Sequence, residues 1–249
     1  MAFLLDLGRC IGCQACTAAC QTGNELAPGV QFITLIEQTR GEFPDLSGGF
    51  KNHRCYHCSD ASCVSVCPTG ALFKEDGLTR TNRDICSGCA YCVEACPFGV
   101  PEMVDGRSSK CDGCADTVRA GGEPWCVKTC PSRALMFGER EAIVAEARER
   151  VTALRTRYPA ARVYGETEAG GLGVVMVLPD EPEVLDLPVD PSPSAVVSTW
   201  TNFVQPTSLV LTAGATVAAG VMGVIARRNH MLELEELARE ESGQEGKEG

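Results

Sequence analysis

The sequence predicts an α+β protein, with two small nested units carrying β-hairpins over the first half and a single transmembrane helix near the C-terminus. Three observations predict it. Sixteen cysteines, Cys10 to Cys130, fall into four groups of four, and the last 119 residues contain none. Short phrases rich in β-branched residues or broken by glycine stand between and after those groups. Nineteen consecutive uncharged residues, Ser208 to Ala226, lie between Pro206 and Arg227-Arg228.

The totals narrow the chemistry. Such a cysteine density leaves a disulfide scaffold, a zinc protein or an iron–sulfur protein. Aromatic residues make up 6% of the 249, so a conventional core in the cysteine-rich part would be thin. Bound metal can make up the deficit, because binding free energy becomes folding free energy when the unfolded chain has no site. A formal net charge of −11 excludes the basic footprint of a nucleic-acid binder. The opening MAFLLDLGRC has no basic n-region, twin arginine or small-residue cleavage site, so no signal peptide is expected.

The four groups form an internal repeat. They are Cys10-x2-Cys13-x2-Cys16-x3-Cys20, Cys55-x2-Cys58-x4-Cys63-x3-Cys67-Pro68, Cys86-x2-Cys89-x2-Cys92-x3-Cys96-Pro97, and Cys111-x2-Cys114-x11-Cys126-x3-Cys130-Pro131. The third is the bacterial ferredoxin run, in which three close thiolates bind one [4Fe–4S] cube and the fourth binds its neighbour. Zinc ribbons use two pairs instead, and a disulfide framework needs no constant spacing. Sixteen cysteines thus fit four [4Fe–4S] clusters with none left over.

Ligand exchange predicts the pairing. The second and third runs are neighbours and pair, leaving the first and fourth to each other. The expected ligand sets are Cys10, Cys13, Cys16 and Cys130; Cys20, Cys111, Cys114 and Cys126; Cys55, Cys58, Cys63 and Cys96; and Cys67, Cys86, Cys89 and Cys92. The fold class is therefore two nested ferredoxin-like 2×[4Fe–4S] units, one inserted in the other, over residues 1–138. No catalytic residue is expected. His57, between Cys55 and Cys58, reads either as a residue that tunes or shields a cluster or as an exposed side chain.

The remaining elements follow in order. Val30 to Glu37 reads as a strand, and Thr69-Gly70-Ala71-Leu72-Phe73 with Asp76-Gly77-Leu78-Thr79 as strand, turn, strand, a phrase that Pro131 to Phe137 repeats after the fourth run. The spacer Ala115 to Trp125 reads as a loop whose Thr117, Arg119 and Glu123 face solvent or a partner. Residues 139–178 comprise an amphipathic helix, with Ile143, Ala147, Val151, Leu154 and Tyr158 on one face, and a strand pair around Gly170-Gly171. Residues 179–206 carry six prolines and read as an extended strap. Residues 207–228 hold the transmembrane helix, since nineteen residues at 1.5 Å each just cross a hydrocarbon core of about 30 Å. Trp200, Phe203, Arg227 and Arg228 are its interfacial anchors, and the arginine pair predicts a cytoplasmic C-terminus. Ala215, Ala219 and Gly223 share one face suited to a helical membrane partner. Residues 229–249 form an acidic tail with seven glutamates from Glu233 to Glu248, which from Met231 on reads as a short helix with a solvated, frayed end.

Four runs in this order, a spacer in the fourth, and the phrases RCIGCQACTAAC, CSGCAYCVEACPFGVP, KCDGC and CVKTCPSRAL resemble the iron–sulfur electron-transfer subunits of molybdenum and tungsten bis-pterin oxidoreductases. The tyrosine-glycine and double-glycine stretch near residues 164–171 and the C-terminal helix make the β subunit of membrane-bound respiratory formate dehydrogenase the most similar type. The resemblance implies a non-catalytic relay between a large molybdenum or tungsten catalytic subunit and a quinone-reactive, haem b membrane subunit. It also implies the cytoplasmic membrane, with the cluster domain on the periplasmic side. Gln21 departs from the pattern, since the other three runs have proline there. The equivalent subunits of nickel–iron hydrogenases and of dimethyl sulfoxide, polysulfide or thiosulfate reductases are alternatives, as is a free-standing membrane ferredoxin.

Overall fold

The computed structural model describes residues 1–191 and 195–245. It forms two units, Met1–Val197 and Ser198–Gly249. Along the chain the elements begin with β1 (Ala2–Asp6), α1 (Ala15–Gly23), β2 (Ile33–Arg40), β3 (Ser47–Arg54), α2 (Ser62–Ser65), β4 (Leu72–Glu75), β5 (Leu78–Thr81) and α3 (Tyr91–Ala95). They continue with β6 (Glu102–Val104), β7 (Arg107–Ser109), α4 (Ala115–Arg119), α5 (Trp125–Lys128), β8 (Leu135–Gly138), α6 (Arg140–Leu154), β9 (Arg162–Tyr164), β10 (Val174–Leu178), α7 (Ala195–Thr199) and α8 (Gln205–Glu245).

One four-stranded sheet, in the order β8-β1-β10-β9, organises the first unit. Its inner strands are parallel, with Leu4 opposite Val175, and both edge strands run antiparallel to them. Every residue of AFLLD and VVMVL is buried. A strand covered on both faces needs an apolar run rather than alternation, and both sequences supply one. On one face Ala2, Leu4, Val175 and Val177 pack against Ile143, Ala147 and Val151 of α6. On the other, Phe3, Leu5, Val174 and Met176 join Cys16, Cys20, Cys126, Ile33 and Tyr56. The amphipathic helix thus covers a sheet that the N-terminal strand completes. At the end of β1 the buried Asp6 carboxylate accepts from Arg150 Nε of α6 at 2.8 Å.

Three two-stranded hairpins, β2-β3, β4-β5 and β6-β7, stand apart from this sheet. The expected strand at Val30–Glu37 begins three residues later and runs to Arg40, paired with β3. Asp76-Gly77 and Asp105-Gly106 turn the second and third hairpins, each pair at positive φ (50° and 79°, 50° and 71°). Two successive left-handed residues match the twist of the flanking strands, which is why Asp-Gly recurs there. The segment after the fourth run forms no hairpin: β8 joins β1.

Two expectations change. The strap is not extended throughout, because Glu183–Leu185 makes a 3-10 turn, and Ala195–Thr199 and a π-helical turn at Trp200–Val204 precede α8. Helix α8 does not stop at Arg228 but continues into the acidic tail to Glu245. Arg227 to Glu241 contains neither glycine nor proline and is rich in Glu, Leu and Arg, so propensity carries the helix onward. Residues 192–194 of the strap and 246–249 of the tail lie outside the described residues. Val197–Leu232 is the one segment among the described residues long and apolar enough to cross a membrane. Its best window has a mean hydropathy of 2.1, and none of that window is buried.

Candidate iron–sulfur sites

The four runs share a local backbone form. The residue before the second cysteine has positive φ in each: Gly12 (67°), His57 (50°), Gly88 (74°) and Gly113 (76°). A left-handed residue there turns successive N–H groups toward one centre, as in an anion-binding nest. The Gly113 N–H accordingly points at Cys111 Sγ, 3.5 Å away. Proline after the fourth cysteine stops the helix in the last three runs. Gln21 does not, so α1 continues past Cys20 to Gly23, and the Gln21 side chain donates to the Leu26 and Ala27 carbonyls.

All sixteen cysteines are free thiols, and long-range folding gathers them. Cys10, Cys13 and Cys16 line one cavity with Cys130. Cys55, Cys58 and Cys63 line a second with Cys96. A third group is gathered by two side chains: Asn24 Nδ2 lies 3.3 Å from Cys20 Sγ and 3.9 Å from Cys114 Sγ, and Arg54 donates to Cys126 (3.5 Å) and Cys111 (3.6 Å). In the fourth, the Ser108 N–H reaches Cys86 Sγ at 3.4 Å while Cys92 Sγ contacts Ser108 Oγ at 3.4 Å. Cys86 and Cys89 are also among the charges that push the Cys92 thiol up, after burial. Cys67 has its own cradle: burial pushes its thiol up, but the N–H groups of Leu72, Thr69 and Ala71 and the Thr69 hydroxyl outweigh that and lower it. The eleven-residue spacer is α4 and a turn, with Arg119 ion-paired to Glu75 and Asp116.

The donor set fits an iron–sulfur cluster better than a single ion. Zinc needs four sulfurs within about 2.3 Å of one point. Among the described residues, no three His, Cys, Asp or Glu side chains converge that way; the thiols line spaces instead. Burial pushes Cys20, Cys58, Cys63 and Cys111 up to about 12, so these thiols are protonated at neutral pH and a cluster that they held would release their protons on binding. Backbone N–H groups of Val100, Phe98 and Gly99 face Cys96, supplying the hydrogen bonds to sulfur that such clusters use.

Sequence reasoning missed Arg54 and left His57 open. Arg54 is 1% exposed, and its guanidinium lies 4.5 Å from the Phe3 ring centre. Burial alone would lower its pKa, but the sulfurs of Cys126 and Cys111 more than offset this and raise it. The signal was present in the sequence, since a basic residue precedes the first cysteine in RCIGC, RCYHC and KCDGC. His57 is fully buried, which removes the solvent-facing alternative. Its Nδ1 lies 3.1 Å from the Thr79 N–H, and its ring stacks near Phe3 rather than lining a cysteine cavity. Burial, then Lys110, Arg54 and Lys74, hold it well below the usual histidine range, so it is neutral.

Comparison with known proteins agrees with this geometry. Residues 9–71 and 47–140 each match a 4Fe-4S dicluster domain family. The formate dehydrogenase-O iron-sulfur subunit of Escherichia coli (strain K12) is 35% identical, over 99% of this chain and 90% of its own. The chain belongs to the family of iron–sulfur subunits of formate dehydrogenases and dimethyl sulfoxide reductases. The formate dehydrogenase iron-sulfur subunit of Haemophilus influenzae is 33% identical over 88% of this chain and 78% of its own. The B subunit of the anaerobic dimethyl sulfoxide reductase of E. coli (strain K12) is 41% identical, over 55% of this chain and 72% of its own. The formate dehydrogenase-O subunit thus aligns along nearly the whole chain, and the dimethyl sulfoxide reductase subunit along just over half of it.

Proposed function

We propose that this chain is the electron-relay subunit of a membrane-bound, formate dehydrogenase-like complex, holding four [4Fe–4S] clusters in two nested ferredoxin-like units. The observation that carries it is the extent of similarity. The formate dehydrogenase-O subunit aligns over 99% of the chain, through the apolar C-terminal helix, whereas the dimethyl sulfoxide reductase subunit aligns over 55%. A bound [4Fe–4S] cluster supplies reversible one-electron storage. The chain's own residues fix the sites, exclude water and set the charge around each.

The ligand sets are those of the sequence analysis, with Cys67 completing the site of Cys86, Cys89 and Cys92. Of the sixteen thiols, only Cys13 and Cys89 are exposed. Beside them stand exposed apolar side chains, Ile11 at one and Ile85 and Tyr91 at the other. These two surfaces are where a molybdenum or tungsten catalytic subunit and a quinone-reactive, haem b membrane subunit would exchange electrons with the relay. The apolar part of α8 anchors the chain in the cytoplasmic membrane, and Arg227-Arg228 at its end favour a cytoplasmic C-terminus with the cluster domain outside.

Iron analysis with electron paramagnetic resonance of the purified complex tests the count: fewer than four clusters per chain sinks it. The chains that co-purify test the partner, and C-terminal reporter fusions test the sidedness. Serine at Cys130 tests the nesting. It should destroy the cluster of Cys10, Cys13 and Cys16, about a quarter of the iron, and leave the cluster of its own run's Cys126 in place.

A further inference from the structure

Two buried cations are exchanged between the nested units. Arg54 immediately precedes Cys55, the first thiol of the second run, yet its guanidinium donates to Cys126 (3.5 Å) and Cys111 (3.6 Å) of the fourth. Lys110 immediately precedes Cys111, the first thiol of the fourth run, yet it lines the cavity of Cys55, Cys58, Cys63 and Cys96. They are 1% and 4% exposed. Some basic groups in this unit meet carboxylates, Lys51 with Asp186, Arg80 with Glu75 and Arg150 with Asp6, while Lys74 donates to the Cys58 carbonyl at 2.7 Å and Arg83 and Arg140 donate to other carbonyls. Arg54 instead turns to sulfur, and the Lys110 ammonium donates to the carbonyls of Thr79 (2.7 Å) and Cys111 (3.1 Å).

The side chains that hydrogen-bond to the thiols of the flanking sites are neutral. Asn52 Nδ2 lies 3.9 Å from Cys16, and Ser108 serves Cys86 and Cys92. The order of the sites follows from their neighbours. Cys16 and Cys20 stand one turn apart on α1, which packs on the α5 of Cys126; Arg54, next to Cys55, reaches Cys111 and Cys126; and α2, which carries Cys63, packs on α3, which carries Cys92. The Cys20 and Cys55 sites are therefore the inner two of a row of four. Adding an electron to a cluster adds negative charge in a poorly screened interior, which a fixed buried cation favours. Net charge and hydrogen bonds to sulfur are the protein's main levers on such potentials.

We infer that Arg54 and Lys110 are positioning residues that raise the reduction potentials of the two inner clusters above those of the two flanking ones. Arg54 acts on the site of Cys20, Cys111, Cys114 and Cys126; Lys110 acts on that of Cys55, Cys58, Cys63 and Cys96. Because each cation comes from the run that ligates the other site, each unit sets the potential of its neighbour. The inference rests on the four-cluster reading above.

The test is a dithionite titration of the purified complex with redox mediators, followed by electron paramagnetic resonance, on Arg54→Met, Arg54→Lys, Lys110→Met and Lys110→Arg. Arg54→Met should lower one midpoint by at least a tenfold change in the reduction equilibrium, 59 mV for one electron. Lys110→Met should lower a different one. The charge-keeping variants should retain most of the wild-type value. The midpoint of the Cys67, Cys86, Cys89 and Cys92 site should stay put, and that of the Cys10, Cys13, Cys16 and Cys130 site, whose Cys16 also feels the Arg54 charge, should move less than the inner one. Unmoved midpoints at full iron content overturn the inference, as do equal shifts in the methionine and charge-keeping variants. If Arg54→Met fails to retain iron, Lys110→Met decides alone, and an unmoved midpoint there overturns the inference. Fewer than four clusters in the wild type would instead overturn the reading beneath it.

Discussion

The two faces of β1 and β10 look onto different interiors. One closes on α6 through Ala2, Leu4, Val175, Val177, Ile143, Ala147 and Val151, an aliphatic layer of ordinary kind. The other looks onto Cys16, Cys20 and Cys126 among Phe3, Ile33 and Tyr56. Beyond it lie three two-stranded hairpins, an element marginal by itself in water. The first face closes by aliphatic burial; on the second, burial of Phe3, Ile33, Tyr56 and Leu78 is shared with thiols, and metal bound there adds its free energy to folding.

Removing the metal should separate the two most strongly. Iron chelation under reducing conditions should abolish amide protection in β4 to β7 while β1 and β10 keep theirs, read by hydrogen exchange. Simultaneous loss in both would break the comparison. A smaller effect comes from the opposite direction. Leu4→Ala empties a fully buried site on the α6 face and should cost about 2–5 kcal/mol of stability. Iron content per folded chain should stay at the wild-type value; a loss of iron would show that the two faces are one cooperative layer.

The same division explains what was legible in the sequence. Ligand spacing is local: Cys86, Cys89 and Cys92 must sit within one turn of chain, so the run announces itself. Cys130 joining Cys10 across the chain was legible only because ferredoxin runs exchange their last ligand. Helix α6 showed its period over fifteen residues, whereas α2 and α5 have four each, too short for any period to register. The hairpin at Asp105-Gly106 was missed although its turn pair matches that at Asp76-Gly77, because its strands are only three residues long. The role of Ala2–Asp6 was hidden for another reason. An apolar pentapeptide does not say that its partners begin at residues 135 and 174. His57 gave its role least of all, since burial of a polar side chain is a property of the whole fold, and the basic residue before the first cysteine marked Arg54 without saying which thiols it meets.

A weak link inside the thiol-side layer sharpens the contrast: Leu185 and Leu187, which flank Asp186, pack in that layer. Lys51 of β3, on the thiol side, donates at 2.7 Å to Asp186, in the segment that follows β10. Asp186 is 84% exposed at its side chain, so the pair is screened, and its effect should be small and salt-dependent. Lys51→Met should speed amide exchange at Asp186 and Leu187 in low salt, with the difference narrowing as salt rises and iron content unchanged. The pH dependence has a fixed sign. The hydrogen bond and charge of Lys51 hold the Asp186 carboxyl below its ordinary 3.8, so the contribution is complete above that value and lost only as pH falls through the lower folded value. Between about pH 5 and 8 the difference between Lys51→Met and wild type should therefore be flat. A difference that already collapses at about pH 5 would mean that another group, not this carboxylate, pins the segment to β3.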